Sequence, residues 1–329
     1  MIKEIKDVNN EKIVDYDDKN YLSLKKLIEE NMETLELMEL IGKGSESYVY
    51  KSLIKEKNRY VAMKIIYKNK KHSLNEIGIV NRLKNKNVVK CFGMKNIKDN
   101  KFEMDCLIME YSKFGNLRQF QKNFIKKIYI SESLLCYFSY LILKGLKYCH
   151  MSKIAHLDIK PLNIMIDETL NLKIIDFSIS IDYRNIIKLK LPKKGTKNYM
   201  SPEVLNSDVI DANDLEKVDL FSLGVMLYNL AFCSYPYQNE GEKEEEKKGN
   251  QYKLLESNKF QFSNYFIDFI NKLLEKDIYK RININQACEH YWIKGAELLL
   301  EEKEKLNNAN IFLTYLIYDY FPNFNEYLL

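Results

Sequence analysis

Residues 156–163 read His-Leu-Asp-Ile-Lys-Pro-Leu-Asn, and eleven positions after Asn163 the chain reads Ile-Ile-Asp-Phe over 174–177. Asp158, Asn163 and Asp176 thus place two carboxylates and an amide in one short stretch. One carboxylate can accept the proton of an attacking hydroxyl. The second carboxylate and the amide offer hard oxygen ligands of the kind that Mg²⁺ takes. That set suits phosphoryl transfer, in which positioning and charge neutralisation do most of the catalysis. A lone His-x-Asp would mean nothing; the two motifs in this order and at this separation do. They can act together only if a scaffold folds the two segments against each other.

The elements of that scaffold are legible as changes of pattern. Ser23 is placed to cap a short helix in which Leu24, Leu27 and Ile28 form an apolar stripe suited to docking on the domain. From Thr34 onward the pattern becomes strand (35–41), glycine turn (42–47), strand (48–54), and a third strand over 60–66 follows a polar turn around Asn58. A helix is expected over 73–84 with Ile77, Val80 and Leu83 on one face, then strands over 88–94 and 106–111. The remainder reads as mainly helical, over 132–151, 219–232, 252–257, 264–275 and 284–292. The run 239–250 is highly charged and reads as a solvated insert. No internal repeat is found.

At 329 residues, 46% hydrophobic and 29% charged, the chain is a soluble globular protein with one large or two smaller cores. Its longest nearly apolar run, 311–321, is interrupted by Thr314 and Asp319 and is too short to span a bilayer. The start Met-Ile-Lys-Glu carries no apolar signal core, and Ile2 excludes myristoylation. A cytoplasmic protein without membrane insertion is expected, with nuclear access left open. The six cysteines are scattered without a Cys-x-x-Cys pair and read as reduced core residues. The net charge of +5 does not point to nucleic acid, because only five of the 51 basic residues are Arg and Lys is interleaved with Asp and Glu throughout.

In this order the motifs resemble those of eukaryotic-type serine/threonine protein kinases, over roughly residues 34–293. The resemblance implies a bilobal α+β fold. A small lobe (34–111) would hold a five-stranded antiparallel sheet and one main helix, and a larger helical lobe (112–293) would follow. Residues 1–33 would be an N-terminal extension and 294–329 a C-terminal tail whose apolar residues pack on the large lobe. It further implies ATP as cofactor with Mg²⁺ (or Mn²⁺), a protein substrate, and a chain that acts as a monomer.

Carried onto these residues, the resemblance makes Ile41, Gly42, Lys43, Gly44 and Ser45 the loop over the ATP phosphates. A strand follows that loop, whereas a dinucleotide-binding turn would run into a helix. Lys64, in Val61-Ala62-Met63-Lys64, would contact the α- and β-phosphates and pair with Glu76. A lysine in an apolar strand asks for such a partner. Val49 and Ala62 would line the adenine slot from above and Met165 from below. Met109 would be the gatekeeper, and the backbones of Glu110 and Ser112 would bind the adenine edge. Asp158 would be the catalytic base and Lys160 would neutralise the transferring phosphoryl group, while Asn163 and Asp176 would hold the metal. Thr196 would sit beside Asp158, Ser201-Pro202-Glu203 would close the activation segment, Asp219 would brace the catalytic-loop backbone and Arg281 would pair with Glu203.

Three positions depart from the family pattern: Ser47 and Ser178 replace glycines, and Leu157 replaces the arginine before the catalytic Asp. None removes an atom that touches the reacting phosphate or the metal. The rival from another class is a pseudokinase scaffold that binds nucleotide or partners without transferring phosphate. A small-molecule kinase of related fold is a second rival, against which Ser201-Pro202-Glu203, Asp219 and Arg281 speak. Leu157 has neither charge nor donor for an activation-loop phosphate, so activity without phosphorylation of that loop is expected, although Ser178, Ser180, Tyr183 and Thr196 supply hydroxyls there.

Overall fold

The computed structural model describes residues 18–44, 47–67, 73–98, 103–124, 130–236 and 262–318. Strands β1 (Leu35–Lys43), β2 (Ser47–Ile54), β3 (Arg59–Tyr67), β4 (Cys91–Lys98) and β5 (Glu103–Glu110) form one antiparallel sheet. Its order is β1-β2-β3-β5-β4, so β3 runs through the centre. Every residue of β3 from Val61 to Ile66 is buried, which is why its apolar run is unbroken except at Lys64.

Helix α1 (Asp18–Asn31) begins five residues before Ser23, so Ser23 lies inside the helix rather than capping it. The docked stripe sets its extent: Leu24 and Ile28, one turn apart, pack with Leu35, Leu37, Tyr50 and Met63 of the sheet. Helix α2 (Ser73–Arg82) stops two residues short of the expected end. Its Ile77 packs with Ile66 and Leu107, while Ile79 and Val80 enter the large core. With Gly78, three β-branched residues and two asparagines in ten positions, α2 is a weak helix former that depends on these contacts.

The strand expected over 88–94 begins only at Cys91 and runs on to Lys98. Val88 makes a single bridge to Ile174, and the Val89 N–H donates to the Ile174 carbonyl at 2.9 Å. The Val89 N–H and the Asn87 carbonyl thus find their partners at Ile174 on the other lobe while the Val88 N–H donates to Asn85, a pairing the β-branched pattern cannot distinguish from the sheet.

The second lobe is helical: α3 (Leu117–Phe124), α4 (Glu132–Met151), α5 (Pro202–Asn206), α6 (Leu215–Phe232), α7 (Asn264–Leu273), α8 (Ile284–Cys288), α9 (Tyr291–Lys294), α10 (Ala296–Leu306) and α11 (Ala309–Tyr318). Helix α4 has the expected bounds, with the Ser131 hydroxyl accepting from the Leu134 N–H as its cap. Helix α6 starts four residues before Asp219 and is apolar all round, as a central helix must be. The helix expected over 284–292 is broken in two, because the His290 ring accepts from the Trp292 N–H and caps a new helix. The helix expected over 252–257 and the charged insert 239–250 lie outside the described residues.

Six short strands were not foreseen: β6 (Ile154–Ala155), β7 (Ile164–Ile166), β8 (Leu172–Ile174), β9 (Ile181–Asp182), β10 (Lys188–Lys190) and β11 (Val209–Asp211). They pair as β6–β9, β7–β8 and β10–β11. Phe312, Leu313 and Leu316 of α11 are buried in the core of this lobe, and the Phe312 ring meets Tyr137 of α4 edge-on at 5.2 Å. No helix among the described residues is long and apolar enough to cross a membrane.

Two glycines test this packing with opposite signs. A Cβ on Gly145 of α4 would lie 2.7 Å from the Asn87 carbonyl oxygen and 2.9 Å from Ile174 Cδ1, whereas one on Gly78 of α2 would meet nothing within 4 Å. Gly145→Ala should lower unfolding free energy by about 1–3 kcal/mol, and Gly78→Ala should raise it by about 0.5–1 kcal/mol. Urea unfolding of the two variants measures both.

Candidate active site

The geometry starts from Asp219, fully buried in α6. Its Oδ2 accepts from the His156 N–H and from His150 Nε2, each at 2.8 Å, and its Oδ1 accepts from the Leu157 N–H at 2.7 Å. These bonds hold the backbone at Leu157 in the left-handed region, φ +67°, where a leucine is strained. His156 donates from Nε2 to the Ile175 carbonyl (2.9 Å) and accepts the Asp158 N–H at Nδ1 (3.2 Å), which fixes its neutral tautomer. The loop is thereby tied on one side to α6 and on the other to the residue before Asp176.

Asp158 emerges from this loop with both oxygens engaged. Oδ1 accepts the Thr196 N–H and hydroxyl, each at 3.0 Å; Oδ2 accepts Lys160 Nζ at 2.6 Å and Asn163 Nδ2 at 2.9 Å. The Thr196 hydroxyl in turn accepts from Lys160 at 2.6 Å. Asn163, buried in a single 3₁₀ turn begun by Pro161, also donates to the Asp158 carbonyl at 2.8 Å, which turns its amide oxygen away from Asp158. Gly195 lets the two segments approach. Its φ is +114°, and a Cβ there would stand 3.1 Å from the Leu157 carbonyl oxygen.

Across the cleft, Lys64 is 5% exposed and donates to both oxygens of Glu76 (2.6 and 2.8 Å) and to Asp176 Oδ1 (2.8 Å). Burial alone would lower the lysine's pKa, but the two carboxylates more than offset it and the pKa rises. Burial pushes the Glu76 carboxyl up against the pull of Lys64. Burial works the same way on Asp176, yet Lys64 and the Ser178 hydroxyl hold its pKa down to about 2. Ser178, at the departed glycine position, is thus a donor to Asp176, and it is not among the residues with positive φ. Phe177 is fully buried, edge-on to His156 at 4.9 Å.

Of the other sequence-predicted residues, Ile41, Gly42 and Lys43 end β1, and Gly44 closes the turn through its N–H to the Ser47 carbonyl at 2.8 Å. Ser45 lies outside the described residues. Val49 faces Gly42 on one side and Lys64 on the other in strand register. Ala62 pairs with Met109 across β3 and β5. Ala62 and Met165 are each 8% exposed. The Glu110 carboxylate is occupied by the Lys90 N–H (2.6 Å) and by Lys173 (3.0 Å), while the Ser112 hydroxyl donates to the Ile166 carbonyl. The two motif segments and the lysine strand therefore converge on one cleft between the sheet and the helical lobe. Arg281 forks onto Glu203 at 2.7 and 3.1 Å, and both are buried.

The hydroxyls offered by the activation segment are largely spoken for. Ser180 is buried and donates to the His156 carbonyl (3.1 Å), and Tyr183 is buried and donates to the His150 carbonyl (3.1 Å). Sequence reasoning missed two contributors, His150 and the Ser178 hydroxyl, because neither carries a signal outside the fold.

The lysine of β3 thus meets Glu76 of α2 and, across the cleft, Asp176, while a second lysine bridges Asp158 and Thr196 on the helical lobe. The chain belongs to the protein kinase family: the model of the protein kinase domain matches residues 35–293. It is similar to Aurora kinase of Patiria pectinifera, 29% identical over 266 residues that cover 77% of this chain and 61% of that protein. It is also similar to serine/threonine-protein kinase Aurora-2 of Arabidopsis thaliana, 29% identical over 260 residues, 77% of this chain and 87% of that one. A third relative is serine/threonine-protein kinase pakH of Dictyostelium discoideum, 32% identical over 276 residues, 80% of this chain and 50% of that one.

Folding lowers the pKa of Asp176 from 3.8 to about 2. Its carboxylate therefore contributes stability that is present above the unfolded value and lost as pH falls toward the folded one. Asp176→Asn should narrow its stability gap to the parent protein as the pH is lowered from 5 to 3, measured as urea midpoints at each pH.

Proposed function

We propose that the chain transfers the γ-phosphoryl group of ATP to serine or threonine hydroxyls of protein substrates. The observation that carries this reading is the joint assembly, around one cleft, of Lys64 and Glu76 from the sheet lobe with Asp176, Asp158, Lys160, Asn163 and Thr196 from the helical lobe. In this reading the backbone of the Gly42–Gly44 turn covers the phosphates and Lys64 binds them. Val49, Ala62 and Met165 sandwich the adenine, beside Met109 and the backbones of Glu110 and Ser112. Asp176, held ionised, and the outward-turned amide oxygen of Asn163 fit Mg²⁺, or Mn²⁺ in its place. Two protein oxygens are too few for an all-protein cage, and Mg²⁺ sites of this kind are completed by phosphate and water. The metal supplies charge neutralisation on the phosphates when bound.

The substrate hydroxyl donates to Asp158 as its oxygen attacks phosphorus. The new O–P bond forms as the bond from phosphorus to the β–γ bridging oxygen breaks; the proton goes to Asp158 and ADP leaves. Lys160, tied to Asp158 and Thr196, neutralises the oxygens of the moving group. Burial of Ser180 and Tyr183 supports activity without their phosphorylation. The chain is proposed to work as a cytoplasmic monomer.

Transfer of radiolabelled phosphate from ATP to a generic protein substrate tests this. Asp158→Asn should cost at least about a hundredfold in kcat, the range for loss of a general base. Asp176→Ala should cost at least as much while raising the Mg²⁺ requirement, and circular dichroism should show both folded. A parent protein that binds ATP, remains folded and transfers nothing would identify it as a scaffold. Label on tyrosine instead of serine or threonine would overturn the acceptor assignment.

A further inference from the structure

Helix α2 carries Glu76 in its first turn and Arg82 in its last, and each end is pinned by one ion pair. Glu76 is pinned by Lys64. Arg82 Nη1 donates to Asp182 Oδ2 at 2.6 Å, across 100 residues of chain. Asp182 is not on a loose segment. It is the second residue of β9, paired with Ile154 of β6 immediately before the catalytic loop, and it lies six residues after Asp176. Its side chain is fixed by a second guanidinium: Arg184 donates from Nε to both oxygens (3.0 and 3.2 Å), from Nη2 to Oδ2 (2.8 Å), and from its N–H to Oδ1 (3.3 Å). The two arginines hold the carboxyl well below its ordinary range.

The rest of the segment is tethered without added charge. Tyr183 and Leu191 join Ile210, Ala212, Leu215 and Val218 in a separate apolar cluster, and β10 pairs with β11. The apolar cluster does not reach α2, which meets this segment at Phe177 beside Glu76 and, at its far end, through the ion pair of Arg82 with Asp182. Because α2 is intrinsically weak, with an exposed glycine at its centre, its placement is sensitive to what holds its ends.

We propose that Asp182 is a positioning residue for phosphoryl transfer: a built-in acid on β9 that grips Arg82 and thereby holds α2 where Glu76 meets Lys64. The inference rests on the kinase reading above and names how that site is kept assembled without a phosphorylated hydroxyl. Arg184 orients the acid and touches no part of α2 through it, so it is an accessory to the clamp.

The test uses the full chain, with two readouts: hydrogen–deuterium exchange of amides in α2 without nucleotide, and kcat/KM for ATP. Asp182→Asn and Arg82→Gln should each raise α2 exchange, and lower kcat/KM, by about two- to fivefold, the scale of a partly exposed ion pair. The double variant should be no worse than the worse single. Adding Gly78→Ala to Asp182→Asn should recover most of the loss by strengthening the helix, and Arg184→Ala should act more weakly than Asp182→Asn. Fully additive single effects, unchanged α2 exchange in Asp182→Asn, or no recovery with Gly78→Ala would each overturn the clamp. If the parent protein transfers no phosphate, the proposed function fails while the exchange measurements still decide the clamp.

Discussion

The site depends first on one buried carboxylate. An ionised group without water is costly unless its oxygens are filled by donors, and Asp219 is filled by two backbone N–H groups and a histidine. Those same backbone groups belong to His156 and Leu157, so satisfying the charge also dictates the shape of the loop. The strained dihedral at Leu157 is the local cost of that arrangement. Asp158 points into the cleft because its neighbour is held this way, and through His156 the same carboxylate governs the path of the chain into Asp176.

Both lysines of the cleft are held by carboxylates before any phosphate is present. A free lysine side chain samples many rotamers, and ordering it is entropically expensive. Lys64, buried with Glu76 and Asp176, and Lys160, bridging Asp158 and Thr196, have already undergone that ordering. On the proposed reading their charges are preorganised for phosphate oxygens, so less reorganisation is needed during reaction. The weak point of such a design is α2, which supplies Glu76 yet has little helical preference of its own.

Much of this was legible in the chain. The central strand, α4 and the residues that meet at the cleft were readable because a lysine in an apolar run, a twenty-residue helical pattern and paired carboxylates each have a local signature. Boundaries at Ser23 and Val88 were not, since packing or pairing with residues distant in sequence decided them, and the break at His290 was missed because histidine is not among the usual helix caps. The ribbons β6–β9 and β10–β11 are two or three residues long, below the length at which alternation can be recognised. Asp182 looked like any acid in a lysine-rich sequence; only the fold brings Arg82 to it. The placement of Ser45 and of the insert beyond residue 236 lies outside the described residues.

Glu132 at the start of α4 accepts from the Ser263 N–H (2.8 Å) and hydroxyl, and from Trp292 Nε1 (2.8 Å). Ser263 caps α7, and Tyr235, three residues past the end of α6, meets Tyr199 edge-on at 5.6 Å. The end of α6 and the start of α7 are thus each fastened to the helical lobe by side-chain contacts. One carboxylate gathers the starts of three helices, α4, α7 and α9, so a single change at Glu132 would unfasten all three together.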